Sequence, residues 1–559
     1  MKSLRHDLIE HLEILAFYSK WREENPFKTR AFERASENLS KIPEEELERR
    51  LKDESLTEIE GVGKGIALII KEFFEKRDSE ERRKIQGDLS PDLWKMTEVS
   101  GLGIKKIKAL YEGLNIQNLG ELEYACRENR LLQLEGFGAK SQEKILREIE
   151  RIKQRAGLLL LPEALAEAEK MEKKFDPKCT YVSVGALGKK EEVLEKLEYL
   201  VLGDSSWNPL QTKSAEKSTS KKEIDFKLQS GTPVIFYFSE KKHFGVESVF
   251  RTSSYEHWES LKKQAKKLQF ELREDALVDS KSTLSVHSDQ ELYTQLQLPY
   301  HPPESREWPI KKNAPDFVEI KNLQGSFHAH SHFSDGLNSI EEMAKAAKSL
   351  GWKYLGMSEH SQTAFYAHGL EEKRLTSYFE AIKKCNEKIK DFKVFAGIES
   401  DILKDGSLDY PAKILKKFDF VIASIHQRYG MKEMTDRLLK AIQNPHTRMI
   451  GHISGRLLLG REAYAYDLDR IVREAVSKKV VIELNASPQR LDLNWRELHQ
   501  ASKAGLLISI NSDAHSVKAL EDVQWGVWMA RKAEFPLDQI INTWEFKKLD
   551  EFISKGRAA

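Results

Sequence analysis

The chain has 559 residues, 32% of them Asp, Glu, Lys or Arg, and a formal net charge of +1. That length exceeds one ordinary core and predicts several domains, while the near-zero charge excludes a broad electrostatic grip on nucleic acid. Three cysteines without C-x-x-C spacing (Cys126, Cys179, Cys385), no apolar run of membrane-spanning length and no signal h-region predict a cytoplasmic protein with no membrane partner.

Residues 1–155 read as helical, with apolar residues at helical spacing through Leu8, Leu12 and Leu15 and again around Phe32 and Leu39. Three segments then repeat one theme: Ile59-Glu60-Gly61-Val62-Gly63, Val99-Ser100-Gly101-Leu102-Gly103 and Leu134-Glu135-Gly136-Phe137-Gly138, each followed by a helical pattern. Such a turn lets backbone N–H groups at a helix N-terminus approach a phosphate closely, a contact that holds the nucleic-acid backbone without reading sequence. Gly61, Gly63, Gly101, Gly103, Gly136 and Gly138 are therefore candidate DNA contacts, with a plain interhelical turn as the alternative. Residues 1–160 hold 30 Lys/Arg against 31 Asp/Glu, so binding through these elements is expected to be local and modest.

Between 160 and 300 short apolar runs, Tyr181–Val184, Tyr199–Leu202 and Val234–Phe238, predict strands. The Lys/Ser-rich stretch from Gln211 to Glu223 reads as a solvated loop, and Pro299, Pro302, Pro303, Pro309 and Pro315 mark a linker.

Ten of the sixteen histidines then fall between His328 and His515, which sets this half apart chemically. His328 and His330 stand at i and i+2, on one side of an expected strand, with Asp335 where the strand would open into a loop. Ile508-Ser509-Ile510 leads in the same way to Asp513 and His515. His360, Glu399, His426 and His452 each follow a short apolar run directly. Ligands gathered from the C-terminal ends of successive strands are how barrel-type α/β enzymes build their sites.

The full length resembles a bacterial or archaeal family X DNA polymerase with a C-terminal PHP (polymerase and histidinol phosphatase) domain. The resemblance is carried by Asn25-Pro26-Phe27-Lys28-Thr29-Arg30-Ala31-Phe32, Leu298-Pro299-Tyr300-His301-Pro302-Pro303-Glu304, Asn444-Pro445-His446, Gly451-His452 with Gly455-Arg456-Leu457, and Asn485-Ala486-Ser487-Pro488-Gln489-Arg490-Leu491-Asp492. It implies a multidomain protein: a helical helix-hairpin-helix N-terminal region, an α+β nucleotidyltransferase-like palm and thumb, and a C-terminal distorted (β/α)7 PHP barrel. The expected boundaries are a small DNA-binding domain at 1–80, a fingers-like region at 81–158, palm and thumb at 159–298, a linker at 299–322 and the barrel at 323–559.

The palm departs from the family pattern where its chemistry lies. The two metal-binding carboxylates fall on Lys196 and Glu198, and a lysine places positive charge where a cation would have to sit. Asp225 fits the third carboxylate but cannot hold two metals alone, and an ordinary exposed strand residue is the favoured reading of it. Gly185-Ala186-Leu187-Gly188-Lys189-Lys190 replaces the phosphate-binding start, and the lysine of lyase-active relatives falls on Ile69. The barrel keeps its ligands: the resemblance implies metal binding by His328, His330, Asp335, His360, Glu399, His426, His452, Asp513 and His515. In the family's arrangement, His328, His330, Glu399 and Asp513 would hold one ion. Glu399 would bridge to a second on His426 and His452, and Asp335, His360 and His515 would hold a third. Nine N/O ligands without a thiolate suit two or three divalent ions, Mn²⁺, Zn²⁺ or Fe²⁺. Glu399, His426 and Asp513 are the expected catalytic core. Arg456 and Arg490 are candidates for substrate phosphate, or for a salt bridge with a neighbouring carboxylate. Ser326 and Glu359 replace acids of the family pattern beside ligands and are expected to alter the hydrogen bonds around the site.

The reading is a DNA-binding metal-dependent phosphodiesterase. It is expected as a monomer acting on gapped or 3′-end DNA as a Mn-dependent 3′–5′ exonuclease in repair, with a palm that has lost polymerisation. An active family X polymerase with gap filling and a histidinol-phosphatase-like phosphomonoesterase are the alternatives.

Overall fold

The computed structural model describes residues 4–203, 223–228, 230–311, 316–427, 429, 431 and 433–554. Most of the expected loop at 211–223, and Pro315 of the linker, lie outside the described residues. The chain forms two compact units, Met1–Cys126 with Arg130–Ile149, and Arg127–Asn129 with Glu150–Ala559. Among the described residues no helix is long and apolar enough to cross a membrane.

The first unit is helical. Leu8, Leu12 and Leu15 of the helix Leu4–Trp21 are fully buried, as are Phe32 and Leu39 of the helix Pro26–Ser40, which packs against it. The second helix starts where its sequence dictates: Pro26 fits the first turn, and Asn25 accepts the N–H of Phe27 at 3.0 Å. The three glycine segments fold alike. Gly61, Gly101 and Gly136 have φ of +81°, +92° and +83°, and Gly63, Gly103 and Gly138 lead directly into the helices Lys64–Lys76, Ile104–Leu114 and Ala139–Ala156. A Cβ added at any of these second glycines would meet nothing within 4 Å, so internal packing does not demand glycine there.

The second unit begins with a four-stranded palm sheet. Its strands are β1 (Tyr181–Val184), β2 (Leu197–Leu202), β3 (Glu223–Lys227) and β4 (Pro233–Ser239), in the order β1-β2-β4-β3, with only β2 and β4 parallel. A thumb follows, with its own core of Val246, Val249, Trp258, Leu261, Leu277 and Leu292.

Seven parallel strands then run in sequence order: β5 (Gly325–Ser326), β6 (Tyr354–His360), β7 (Lys393–Asp401), β8 (Phe420–Ser424), β9 (Met449–Ile450), β10 (Val481–Asn485) and β11 (Ile508–Asn511). A parallel bridge between Ala329 and Ala514 brings the first and last strands together and nearly closes the barrel. Every residue of these seven strands except Lys393 is buried, as in a parallel sheet covered on both faces. Phe327, Tyr354, Phe395 and Phe420 fill one end of the interior. Gly397 makes room for them: a Cβ there would lie 2.1 Å from the Phe420 ring.

The segment expected as a linker is packed rather than free. Trp308 donates its indole N–H to the carbonyl of Lys532 (2.9 Å) and stacks on His499 at 3.5 Å between ring centres. Lys532, fully buried, donates to Glu307 (2.6 Å), Glu191 (3.1 Å) and the carbonyl of Lys189 (3.1 Å), which ties palm, linker segment and barrel together.

Candidate metal centre

The nine candidate ligands converge. Their positions follow from strand ends: Glu399 lies on β7 in register with His360 at the end of β6, so both side chains project from one row. His328 and His330 do not sit on a long strand. Ladder pairing of β5 with β6 ends at Ser326, and the histidines continue it as an extended segment, with His330 N–H donating to Ala514 C=O (2.9 Å) and Ala514 N–H to His328 C=O (3.2 Å). Asp513 likewise leaves the strand geometry, at φ +54°.

Glu399 is the hub. Its Oε1 lies 2.9 Å from His452 Nε2, 3.2 Å from His426 Nε2 and 3.4 Å from His328 Nε2, and its Oε2 lies 2.8 Å from His360 Nδ1. Asp513 Oδ1 stands 3.3 Å from Nε2 of both His328 and His330, and Asp335 lies 3.4 Å from His360 Nε2 and 3.3 Å from His515 Nε2. Among the described residues four groups of ligand atoms are each mutually within 4.8 Å: His330, Asp335, His360 and His515; His328, His330 and Asp513; His360, Glu399 and His426; and Asp513 and His515 with Glu128, an acid that sequence reasoning did not single out.

Burial alone would raise the Glu399 carboxyl, but the imidazoles of His426, His328 and His360 outweigh it and hold it well below the usual range. Asp335 and Asp513 are depressed in the same way, against their burial, by His360 and His515 and by His328. Burial pushes His330 and His452 down to about 3 and about 4, whereas the carboxylates reverse that effect and lift His360 and His426 to about 10.

The donor set fits divalent metal. Asp335 Oδ1 and Oδ2, Glu399 Oε2 and the Nε2 atoms of His328, His330 and His515 are buried without a hydrogen-bond partner. Each such orphan costs roughly 1–3 kcal/mol unless something else satisfies it, and imidazole with carboxylate is the donor chemistry of Mn, Zn and Fe sites.

Arg456 is directed to Glu192 of the palm and to the carbonyls of Arg490 and Leu491, and so makes the carboxylate contact that was its alternative. Arg490, 2% exposed, lies beside the cluster with Nε 3.9 Å from Asp513 Oδ2. Glu359 is buried and accepts from Ser331 N–H (3.1 Å) and from the Ser331 and Ser334 hydroxyls, anchoring the turn that carries Asp335. Sequence reasoning missed Asp401, which accepts from His426 Nδ1 (2.8 Å), and Glu483, which accepts from His328 Nδ1 (2.6 Å). The only signal was their alternation with apolar neighbours on β7 and β10.

In the palm, Glu198 and Asp225 both pair in register with Ile235 and occupy one row of the sheet. Lys196 Nζ lies 3.0 Å from Glu198 Oε1, which also accepts from Tyr237 Oη at 2.9 Å. Asp225 is exposed.

Residues 326–487 match the PHP domain, 4–79 a helix-hairpin-helix domain, 95–151 a SAM-like helix-hairpin-helix tandem and 248–307 the DNA polymerase beta thumb. The chain is 30% identical over 575 aligned positions to the DNA polymerase/3′-5′ exonuclease PolX of Bacillus subtilis, covering 99% of this chain and all of that protein. Over its barrel, 41% of the chain, it is 29% identical to a probable phosphatase of Clostridium acetobutylicum, covering 94% of that protein. With a relative of this identity matched end to end, and thumb, helix-hairpin-helix and PHP segments in order, the chain belongs to the family X DNA polymerases that carry a C-terminal PHP domain.

Proposed function

We propose that the barrel is a metal-dependent phosphodiesterase that shortens DNA from 3′ ends, with Mn²⁺ the preferred ion, and that the palm no longer polymerises. The observation that carries the reading is the set of orphaned carboxylate and imidazole atoms around Glu399. His328, His330, Glu399 and Asp513 would hold one ion, Glu399, His426 and His452 a second, and Asp335, His360 and His515 a third. Bound ions would supply an activated water and neutralise charge on the phosphoryl oxygens and the departing alkoxide. The chain's own contribution is position: Glu399, His426 and Asp513 form the catalytic core, and Arg490 is placed to offset phosphate charge. The helix-hairpin-helix glycines, with open space before their helices, would hold the DNA backbone.

Support for a silent palm lies in Lys196, whose ammonium occupies the side of Glu198 that a cation would need. The exonuclease in the name of the Bacillus relative agrees with the DNA reading, and the phosphatase relatives of the barrel favour phosphomonoester hydrolysis as a second one.

The test is a 5′-labelled primer on a longer template with Mn²⁺, with and without dNTPs, beside a phosphomonoester substrate. Shortening lost in His330→Ala and kept in Asp225→Ala carries the proposal. dNTP-dependent extension lost in Asp225→Ala, or hydrolysis of the monoester alone, overturns it.

A further inference from the structure

We infer that Glu483 is a positioning residue that couples two metal subsites, setting which nitrogen His328 presents and where His452 stands. The inference goes beyond the proposed function but rests on its metal centre.

Glu483 lies mid-strand on β10 and is fully buried. Its two oxygens receive four donors. Oε1 accepts from His328 Nδ1 (2.6 Å) and Asn511 Nδ2 (3.0 Å), and Oε2 accepts from the backbone N–H of His452 (2.8 Å) and Asn485 Nδ2 (3.1 Å). A carboxylate has about four lone-pair sites, so this one is saturated by protein and has no capacity left for an ion. Glu399 is its opposite, with Oε2 buried and without a hydrogen-bond partner.

Saturation has two consequences. Because the carboxylate can only accept, His328 must carry its proton on Nδ1, which leaves the Nε2 lone pair facing Asp513 and Glu399 at 3.3 and 3.4 Å. The second concerns His452, whose backbone has φ +25°, a conformation few non-glycine residues adopt. Its N–H is held there by Glu483, and the glycine before it gives room, since a Cβ on Gly451 would lie 2.4 Å from Ser424 Oγ and 2.9 Å from Ile422 Cγ2. That strained backbone delivers His452 Nε2 to Glu399 at 2.9 Å. One carboxylate thus serves two ligands that the metal assignment gives to different ions. Asp401 serves one, His426. Asn511 is fixed in turn, its Oδ1 accepting from Phe327 N–H (3.0 Å) and Ser509 Oγ (2.8 Å), so Glu483 cannot drift without disturbing the strand ends around it.

The experiment measures Mn²⁺ bound per full-length chain at buffered free Mn²⁺, by equilibrium dialysis and elemental analysis, on protein shown to be folded by circular dichroism. Glu483→Gln, which keeps shape but offers donors where only acceptors fit, should weaken at least two ions per chain by about 10–100-fold, and Asp401→Asn only one. Affinity of folded protein for metal is a property that a merely structural residue would leave unchanged. An isotherm for Glu483→Gln that superimposes on the parent's, or a loss of one ion only, overturns the inference. If Glu483→Gln does not fold, Asn511→Ala removes one of the two donors to Oε1 and should weaken Mn²⁺ at least threefold; an unchanged isotherm again overturns it. A parent chain that binds no Mn²⁺ fails differently, because it removes the metal centre itself.

Discussion

Palm and barrel both gather acidic groups, yet they treat the charge in opposite ways. In the palm Glu198 and Asp225 share a row across Ile235, but Lys196 and Tyr237 satisfy Glu198, and Asp225 is left to solvent. In the barrel Glu399 and Asp335 are buried with oxygens that imidazoles approach but that accept no hydrogen bond. A metal site is therefore marked less by the number of its carboxylates than by what the fold leaves unpaired in a place where leaving it unpaired is costly.

The contrast breaks most visibly at Glu399. Glu399→Gln should lower hydrolysis on the order of 10⁴-fold, about 5 kcal/mol in the barrier, while Asp225→Ala leaves the rate within about twofold. Equal losses in a primer-shortening assay would erase the distinction between the two regions. The next effect tests whether palm and barrel are energetically one body. Lys532→Met takes from Glu307 and Glu191 their fully buried cation, leaving them only Lys189 at 3.2 and 3.3 Å, and should cost about 3 kcal/mol in denaturant unfolding. A parent that unfolds palm and barrel in two separate transitions would refute that unity.

The N-terminal unit supplies a control, a buried imidazole with only a hydroxyl partner. His11 lies 2.8 Å from Ser79 Oγ, and burial holds it down to about 4. Because the unfolded chain binds the proton more readily, this unit keeps its full stability above pH 6.5 and loses on the order of 2–3 kcal/mol as pH falls to about 4. Thermal melts of His11→Asn should lack that acid limb. The smallest effect is expected at Lys196→Met: with Lys196 40% exposed, the pair with Glu198 contributes less than about 1 kcal/mol, and neither the melting temperature nor DNA shortening should move appreciably.

Much of this was legible in the sequence because ligands at strand ends are written locally, as a histidine or acid after an apolar run. The glycine pairs of the helical hairpins are legible for the same reason, each turn and its helix being contiguous. What stayed hidden depends on register between distant strands. Glu483 is separated from His328 by 155 residues, and nothing in Val481-Ile482-Glu483-Leu484-Asn485 distinguishes it from a solvent-facing strand position. Arg456 reads as a phosphate ligand from its motif, but its partner Glu192 is 264 residues away in the palm. The prolines at 299–309 signal a tether, and only the packing of Trp308 against His499 and Lys532 reveals a joint.

That joint shapes how the chain would come apart. A protease acting on the native protein should find little purchase around Trp308, where backbone and indole are engaged. A gene shortened to encode the barrel alone would expose the face of His499 that now meets Trp308 and the faces of Lys532 and Arg456 that now meet the palm. On the proposed reading of a silent palm, that segment would still serve as a wall that covers these faces.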